Sequence, residues 1–321
     1  MPVTFRSKSS FTLTSFIIFI LLCEDFMSNF NDIEFVSETY RESKFKPRFY
    51  VVFLIVFSMY YFFSPILSHF IFLIVKGNIK IVESNFLYQL FEKFFIPYVS
   101  IFLILIIYIF LIEERRISFL FSGVKNNFLA FNIKGIIFST LFLFVLIFVF
   151  ILRDYTLSFK LNREFTFLNL FQLLFVFIFT YIKFFFLECL YRGWLFNIFT
   201  SRYSIIASLI LTSIVPVVIG FIEYQRIGIY LIYMFLFNIF LSLMFVVYKN
   251  IFILISFNCF YDFLKKYILS LESMNVKLEP LFYTVINNTE LYNVENNYYS
   301  LIVLTIVIVI MFIFYKCKFK M

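Results

Sequence analysis

Residues 229–248 read IYLIYMFLFNIFLSLMFVVY, a run of twenty residues without a single charge. An α-helix needs about 20 apolar residues to cross the hydrocarbon core of a membrane. Aromatic and aliphatic side chains fill most of the run, and its polar members are Asn238 and Ser242. The run therefore predicts a transmembrane helix.

The composition places the whole chain in the same class. Of its 321 residues, 63% are hydrophobic, 24% are aromatic and only 14% are charged, whereas soluble globular proteins carry about 25% charged residues. These values exclude a soluble enzyme domain, a disordered chain and a disulfide scaffold. The net charge of +8 lies in short clusters beside apolar runs, which is typical of cytoplasmic loops, so no nucleic-acid partner is expected.

Seven further apolar runs are long enough to form membrane helices, and the sequence therefore predicts an all-α, polytopic transmembrane helix bundle of about eight spans. The fourth run is too long for one perpendicular span, so we expect it to be tilted, kinked near Gly193 or continued by a short interfacial helix. The eight runs are 50–75, 95–112, 135–152, 167–199, 203–222, 229–248, 250–265 and 300–315.

The chain divides into four predicted regions. A short apolar segment at 11–23, which we expect to be a retained interfacial or short spanning segment, and a polar linker make up residues 1–48. The remaining three regions are the N-terminal transmembrane helices at 49–166, a core at 167–265, and an extracytoplasmic loop with the last transmembrane helix at 266–321.

The distribution of loop charges predicts the orientation. With eight spans both termini share a side, and most basic loop residues fall on that side, whereas the loop at 266–299 is net acidic. The positive-inside rule then places both termini in the cytoplasm.

The rarity of histidine and the spacing of cysteine limit metal chemistry. The chain has one His and four Cys, and the Cys lie far apart without a CxxC pair. A conventional zinc site needs clustered His and Cys ligands. The sequence therefore predicts no metal site and no resident cofactor.

Ionisable residues within a spanning helix are functional-site candidates by default, because they are costly in lipid. Glu188 and Arg192 lie four residues apart in the fourth run, in the favourable order for an intrahelical ion pair. Asn258 and Asp262 have the same spacing in the seventh run. Two interpretations stay open. The four residues hold the bundle together by ion pairing and interhelical hydrogen bonds, or they line one polar cavity.

The pattern Glu188-x-x-x-Arg192-Gly193 followed by Trp194-Leu195-Phe196 resembles the first motif of the CPBP (Abi) family of intramembrane endopeptidases. That family includes type II CAAX prenyl proteases and bacteriocin self-immunity proteins. Its EExxxRG, FxxxH and HxxxN motifs follow one another on successive helices, and the resemblance covers residues 167–265. It implies a bacterial cell membrane, a peptidase fold, and a Glu and histidines that activate a water.

The positions that match the family's catalytic groups are changed in this chain. The first Glu is replaced by Leu187, the His of the second motif by Pro216, and the His and Asn of the third motif by Asn258 and Asp262. No His follows residue 69. An amide cannot shuttle a proton as imidazole does. We therefore expect a catalytically degenerate member.

The resemblance implies that such a member binds membrane proteins or hydrophobic, including prenylated, peptides within the lipid bilayer. The motif positions Glu188, Arg192, Asn258 and Asp262 are the candidate catalytic residues, and a divalent cation is expected only if hydrolysis is retained. Two alternatives stay open: an active endopeptidase with altered ligands, and a transporter or structural membrane subunit.

Other conspicuous residues have simpler interpretations. Cys189 and Cys259 adjoin motif residues but have no base at hand, so they are expected to be packing cysteines. Trp194 is expected to be an interfacial or packing aromatic, and Tyr191 a neighbour of the Arg192 pair. His69 is expected near the membrane interface.

Overall fold

A computed structural model gives the fold of most of the chain. The residues it describes are 47–78, 86–114, 120, 128–152, 157–162, 166–224, 228–271, 280–286, 295 and 297–319. The segment predicted at 11–23 and most of the polar linker lie outside the described residues.

Eight helices run through the described part of the chain, and four of them contain one short π-helical segment each. They are α1 (Phe49–Ser58, Met59–Phe63 as a π segment, then Ser64–Asn78), α2 (Phe86–Leu90, Phe91–Phe95 as a π segment, then Ile96–Leu111), α3 (Phe128–Ile151), α4 (Phe167–Glu188, Cys189–Leu195 as a π segment, then Phe196–Arg202), α5 (Ile205–Tyr224), α6 (Ile229–Tyr248), α7 (Ile251–Phe263, then Leu264–Ile268 as a π segment) and α8 (Tyr298–Phe319).

The π segments number four, one in each of α1, α2, α4 and α7. A π turn adds a residue to the helical repeat and is common at functional sites. In α4 the π segment contains Gly193, around which we expected an irregularity, and Arg192. The side-chain amide of Asn197 donates to the carbonyl of Gly193 at 2.6 Å, so a local polar contact supports the altered backbone.

The prediction of an all-α polytopic helix bundle is confirmed. The predicted span at 229–248 agrees with α6 at both ends, whereas α2 begins at Phe86 rather than at residue 95 and α3 at Phe128 rather than at residue 135. In both helices the turns before the predicted start contain charged residues, and these charges had limited the apolar runs in the sequence. In α3, for example, the Lys134 ammonium lies 5.3 Å from the ring centroid of Phe131, so the charge is accommodated without ending the helix.

The helix α7 is the centre of the bundle. All residues from 251 to 259 are buried, and α7 packs against α3, α4 and α6. Its continuous helical stretch at 251–268 has 18 residues, which corresponds to a length of about 27 Å. Asp262, Lys265 and Lys266 place three charges in this stretch, and Asp262 and Lys265 are buried.

The remaining seven helices are long and apolar enough to cross a membrane, and the chain is an integral multi-pass membrane protein. Burial differs among them. The most apolar window of α5 is 61% buried and that of α8 only 17%, so α5 belongs to the interior of the bundle and α8 to its periphery. Exposed Phe, Leu, Ile and Val side chains cover the outer surfaces of the peripheral helices and contact the lipid bilayer.

A two-stranded antiparallel ribbon lies at one end of the bundle, and the sequence did not predict it. Strand β1 (Leu157–Leu161) pairs with β2 (Phe282–Ile286), so the connection between α3 and α4 is joined to the connection between α7 and α8. The backbone N–H of Leu281 also donates to the carbonyl of Tyr267. The ribbon is therefore anchored to the end of the central helix.

Seven helices of the described residues are long and apolar enough to cross a membrane, whereas the sequence predicted about eight spans. The common side of the two termini is a prediction that depends on the eighth span. The placement of that side in the cytoplasm, the bacterial source and the four-region division stay predictions.

The start of α7 offers a test of how the central helix is fixed. The Asn250 side chain accepts a hydrogen bond from the backbone N–H of Phe252 at 2.8 Å, which is an N-cap contact. We expect Asn250→Ala to lower the free energy of unfolding by about 1 kcal/mol, and Asn250→Ser, which keeps an acceptor, to restore most of it. Thermal unfolding in detergent measures both. Equal losses in the two variants would contradict a capping role.

Candidate functional site

Glu188 and Asn258 connect α4 to the central helix α7. Glu188 is 2% exposed. Its Oε1 accepts one hydrogen bond from the Asn258 amide at 2.7 Å and another from the Arg192 guanidinium at 3.1 Å. The ion pair that the i, i+4 spacing predicts is therefore present, and Asn258 makes the interhelical hydrogen bond expected of a polar residue that holds helices together.

Arg192 extends this network to α6. One of its terminal nitrogens donates to both the backbone carbonyl and the side-chain oxygen of Asn238, at 3.1 and 3.0 Å. The Asn238 amide in turn donates to the carbonyl of Met234 at 2.9 Å. We call Glu188, Arg192, Asn238 and Asn258 the buried network. It joins α4, α6 and α7 by direct hydrogen bonds.

Sequence reasoning missed Asn238, although a signal was available. It is the one amide side chain in the uncharged run 229–248, and a polar residue in the middle of a spanning helix needs a partner within the protein. That criterion would have selected Asn238, but it would not have identified Arg192 as the partner, since the two residues lie 46 positions apart.

Two atoms of the buried network lack a hydrogen-bond partner within the described part of the chain. They are Oε2 of Glu188 and Nε of Arg192. A buried carboxylate oxygen or guanidinium N–H without a partner is unfavourable by an amount comparable to a lost charged hydrogen bond. Oε1 of Glu188 therefore accepts two hydrogen bonds, whereas Oε2 accepts none from the described residues.

Asp262 lies one helical turn beyond Asn258 and pairs differently. Its Oδ1 is 2.7 Å from the Lys266 ammonium. The residue is 7% exposed, and its Oδ2 has no partner among the residues that the structure describes. The structure thus links Glu188, Arg192 and Asn258 by direct hydrogen bonds, whereas Asp262 is connected to them only through a shared cavity.

That cavity has a volume of about 130 Å³ and lies between α4, α6 and α7. Its polar lining consists of Asn238, Asn258, Asp262, Lys265 and Glu295. Glu188 and Arg192 are not among the lining residues, and each is hydrogen-bonded to one of the two amides. Because waters need polar partners and room of this order, the cavity is suited to a hydrated or polar occupant.

Aromatic side chains form much of the remaining wall. The aromatic lining consists of Phe184 of α4, Tyr230, Tyr233 and Phe237 of α6, and Tyr261 of α7. The hydroxyl groups of Tyr233 and Tyr261 are 3.0 Å apart and share a hydrogen bond. The lining therefore combines amide and charged groups with aromatic rings.

Lys265 and Glu295 were not singled out from the sequence. Lys265 is 2% exposed, its ammonium pairs with the Glu295 carboxylate, and it lies 5.1 Å from the ring centroid of Tyr261. Glu295 precedes α8 and lies within the predicted outer loop, 30 positions after Lys265. A contact of this kind depends on the tertiary fold, and nothing in the local sequence indicates it.

The second motif region lies apart from the cavity. Ser208, Thr212 and Pro216 are all buried on α5. The Ser208 hydroxyl donates to the backbone carbonyl of Ser204 at 2.9 Å, which is a local helix contact. The side chains that line the cavity come instead from α4, α6, α7 and the residue Glu295.

The other residues discussed from the sequence have packing roles or lie elsewhere. Cys189 and Cys259 are both buried free thiols. Trp194 is fully buried and donates through its indole nitrogen to Glu113 at 2.9 Å, so it packs inside the bundle. Tyr191 shares a 2.8 Å hydrogen bond with Tyr60. His69 is exposed on α1.

The described residues contain no group of three or more His, Cys, Asp or Glu side chains placed to hold a metal ion. Asn258 and Asp262 offer oxygen ligands, yet Lys266 already occupies one side of the Asp262 carboxylate. The donor set of this cavity does not fit a catalytic metal centre, which takes three protein ligands and an open position.

Comparison with known proteins leaves the family open. No family model matches the chain, and neither a curated protein nor a solved structure matches it. The resemblance to the CPBP family therefore stays a prediction that depends on the motif residues.

Proposed function

We propose that this integral membrane protein is a non-proteolytic relative of the CAAX-protease and self-immunity type, and that it binds a hydrophobic peptide or a membrane protein within the bilayer. The observation that supports this function most is the hydrogen bonding of Glu188. The carboxylate that would activate a water in a peptidase accepts hydrogen bonds from Arg192 and Asn258 through one oxygen.

The arrangement of the motif helices is compatible with the resemblance. The Glu188-x-x-x-Arg192 segment on α4 and the Asn258-x-x-x-Asp262 segment on α7 lie against each other. The helix α5, with the second motif region, packs against α4. The three regions that follow one another in the sequence are thus neighbours in the bundle, as a common origin with a three-motif site would require.

The chemistry of the site argues against hydrolysis. A general base must reach the attacking water and carry its proton at neutral pH. Asn258 cannot do so, and Oε1 of Glu188 is held in an ion pair. A cavity of about 130 Å³ is also too small for an extended peptide, so a bound peptide or protein would contact the bundle from outside and insert at most one side chain.

The test uses the full chain in lipid nanodiscs with fluorescent prenylated and unmodified hydrophobic peptides. We expect binding, measured by fluorescence anisotropy, without peptide fragments in mass spectra after prolonged incubation. As a matched control, Glu223→Gln neutralises an exposed carboxylate at the end of α5 and should leave peptide binding unchanged.

Two results would contradict the proposal. Peptide cleavage that disappears in Glu188→Gln would establish an active endopeptidase with altered ligands. Failure of every peptide to bind, in a preparation whose thermal unfolding is cooperative, would favour a transporter or a structural membrane subunit.

A further inference from the structure

The charges around the cavity between α4, α6 and α7 are balanced in pairs. Its charged lining residues are Asp262, Glu295 and Lys265. Lys265 pairs with Glu295, and Lys266 reaches the Asp262 carboxylate at 2.7 Å. The lining and the residue that pairs with it therefore have no excess of either sign.

The charges on the neighbouring helices keep this balance. Lys183 on α4 also attracts the Asp262 carboxylate, and Glu223 on α5 attracts Lys183 in turn. Burying an ion is costly unless a counter-charge is available to it, and every charge here already faces an opposite one. The charge distribution therefore selects a neutral occupant.

One acceptor in the lining is left without a donor. Asp262 is 7% exposed, and its Oδ2 has no hydrogen-bond partner among the described residues, whereas its Oδ1 contacts the Lys266 ammonium. Most buried polar atoms in proteins have at least one hydrogen-bond partner. A bond from an O–H group to a carboxylate is also stronger than a bond between two neutral groups. The free oxygen therefore indicates an occupant that carries a donor.

The surface that the cavity exposes is mostly apolar, and five aromatic rings contribute to it. They belong to Phe184, Tyr230, Tyr233, Phe237 and Tyr261. A buried water makes about three hydrogen bonds, which a mostly apolar wall does not supply to every water. Aromatic rings instead pack favourably against another ring, edge to face or offset. The wall therefore favours an occupant that is largely aromatic.

The size and level of the cavity limit that occupant further. Its volume is about 130 Å³, and an apolar protein cavity of about 150 Å³ admits a benzene ring, so one six-membered ring fits. Lys265 lies near the end of α7 to which the ribbon is anchored, so this side of the cavity is close to a membrane–water boundary. Tyrosine side chains of membrane proteins are enriched at that boundary.

We propose that the cavity binds a phenol group, which donates its hydroxyl to Oδ2 of Asp262 and packs its ring among the aromatic side chains. A phenol stays protonated at neutral pH, because its pKa is about 10, and so it enters as a neutral donor. The proposed function would supply this group as the tyrosine side chain of a bound membrane peptide, and in that respect the inference rests on the proposed function. A small free phenol has the same chemistry.

Matched small molecules test the chemistry of the cavity. The purified full chain in detergent is titrated with 4-methylphenol, which has the shape of the tyrosine side chain, and thermal unfolding reports binding. In the comparison series, 4-methylanisole keeps the oxygen but cannot donate, toluene lacks the oxygen, and 4-methylbenzylammonium and 4-methylbenzoate carry opposite charges. We expect 4-methylphenol to bind about tenfold more tightly than each of these four, as the loss of a hydrogen bond to a charged group implies.

Two variants test the assignment to this cavity. Asp262→Asn keeps the shape of the side chain and should remove most of the preference for 4-methylphenol over 4-methylanisole. Met234→Trp, at a flexible residue of the lining, fills the cavity and should abolish binding of 4-methylphenol, and it serves if Asp262→Asn does not fold. As matched controls, Glu92→Gln removes an exposed carboxylate from α2 and Met311→Trp repeats the bulky substitution on α8. Neither residue lines the cavity, so neither control should change binding.

Two transmembrane peptides that differ only by a tyrosine or a phenylalanine near one end identify the source of the phenol. In lipid nanodiscs we expect the tyrosine peptide to bind about tenfold more tightly, and 4-methylphenol should displace it. Equal binding of the two peptides, with the preference for 4-methylphenol intact, would assign the cavity to a small free phenol. Failure of both peptides to bind, with that preference intact, would contradict the proposed function and leave the chemistry of the cavity in place.

Three results would overturn the proposal. Equal binding of 4-methylphenol and 4-methylanisole would show that no hydroxyl is donated. Tighter binding of either charged analogue would show that the cavity does not select a neutral group. An unchanged preference for 4-methylphenol in both Asp262→Asn and Met234→Trp would place the phenol outside this cavity.

Discussion

Replacing Glu188 by Ala is expected to lower the free energy of unfolding by about 3–5 kcal/mol, because it leaves a buried charge without its partner. Arg192 is 1% exposed, and the ion pair at 3.1 Å is its contact with an opposite charge in the buried network. Asn238 supplies two further acceptors but no negative charge. The guanidinium would therefore be left as an uncompensated cation between three helices.

The loss can be assigned to the unpaired charge by a matched double variant. Glu188→Met with Arg192→Met replaces both charges by apolar side chains, and such replacements of buried ion pairs are often neutral or stabilising. We expect the double variant to recover most of the stability that Glu188→Ala loses. If the double variant is as unstable as the single one, the helices depend on the specific hydrogen bonds rather than on charge balance.

Buried cysteines provide the measurement. Cys189 and Cys259 are buried free thiols on α4 and α7, so a thiol-reactive dye reports the separation of these helices during heating. Replacing Cys23 and Cys317 by Ser in all variants leaves Cys189 and Cys259 as the two thiols that the dye can label. A loss below about 1 kcal/mol for Glu188→Ala, the value of an exposed ion pair, would contradict the role of the network in holding α4, α6 and α7 together.

The fold could be predicted from the sequence to the extent that it depends on local hydropathy. Both ends of the helix at 229–248 were predicted correctly, because no charge interrupts this run and charged or polar residues flank it. The start of α2 was missed because Glu92 and Lys93 lie within its first turns. Each charge lowers the hydropathy of the sequence around it, whereas the folded helix can orient that side chain towards a polar or aromatic neighbour.

The candidate site was predictable in its local part only. The i, i+4 pair of Glu188 and Arg192 follows directly from helical periodicity. The contacts of Arg192 with Asn238 and of Lys265 with Glu295 join residues far apart in sequence, and they depend on how the helices pack. The pairing of β1 with β2 was missed for the same reason, since each short strand gives a weak signal without its partner.

Gly135→Ala is expected to destabilise the bundle by about 1–3 kcal/mol, the range of overpacking in a close-packed core. Gly135 lies where α3 crosses the central helix α7. A methyl group there would overlap the Ser256 hydroxyl and the Ile253 carbonyl oxygen, and it would lie 2.9 Å from the backbone nitrogen of Phe257. Small residues at such crossings let helix backbones approach closely in membranes.

Gly220→Ala on α5 is the matched control. A methyl group at Gly220 would meet the flexible end of the Met234 side chain at 3.1 Å, which can turn away. Both substitutions gain the same intrinsic helix propensity of about 1 kcal/mol, so the difference between their unfolding free energies isolates the packing term. We expect Gly220→Ala to be neutral or stabilising.

A second substitution distinguishes backbone contact from side-chain contact at the same crossing. Removing the Ser256 hydroxyl in Gly135→Ala with Ser256→Ala relieves one overlap but leaves the Ile253 carbonyl and the Phe257 nitrogen in place. We therefore expect the double variant to recover only part of the loss. Full recovery would show that the backbones have room to accept a methyl group, and α7 would then be held at this crossing by a movable side chain.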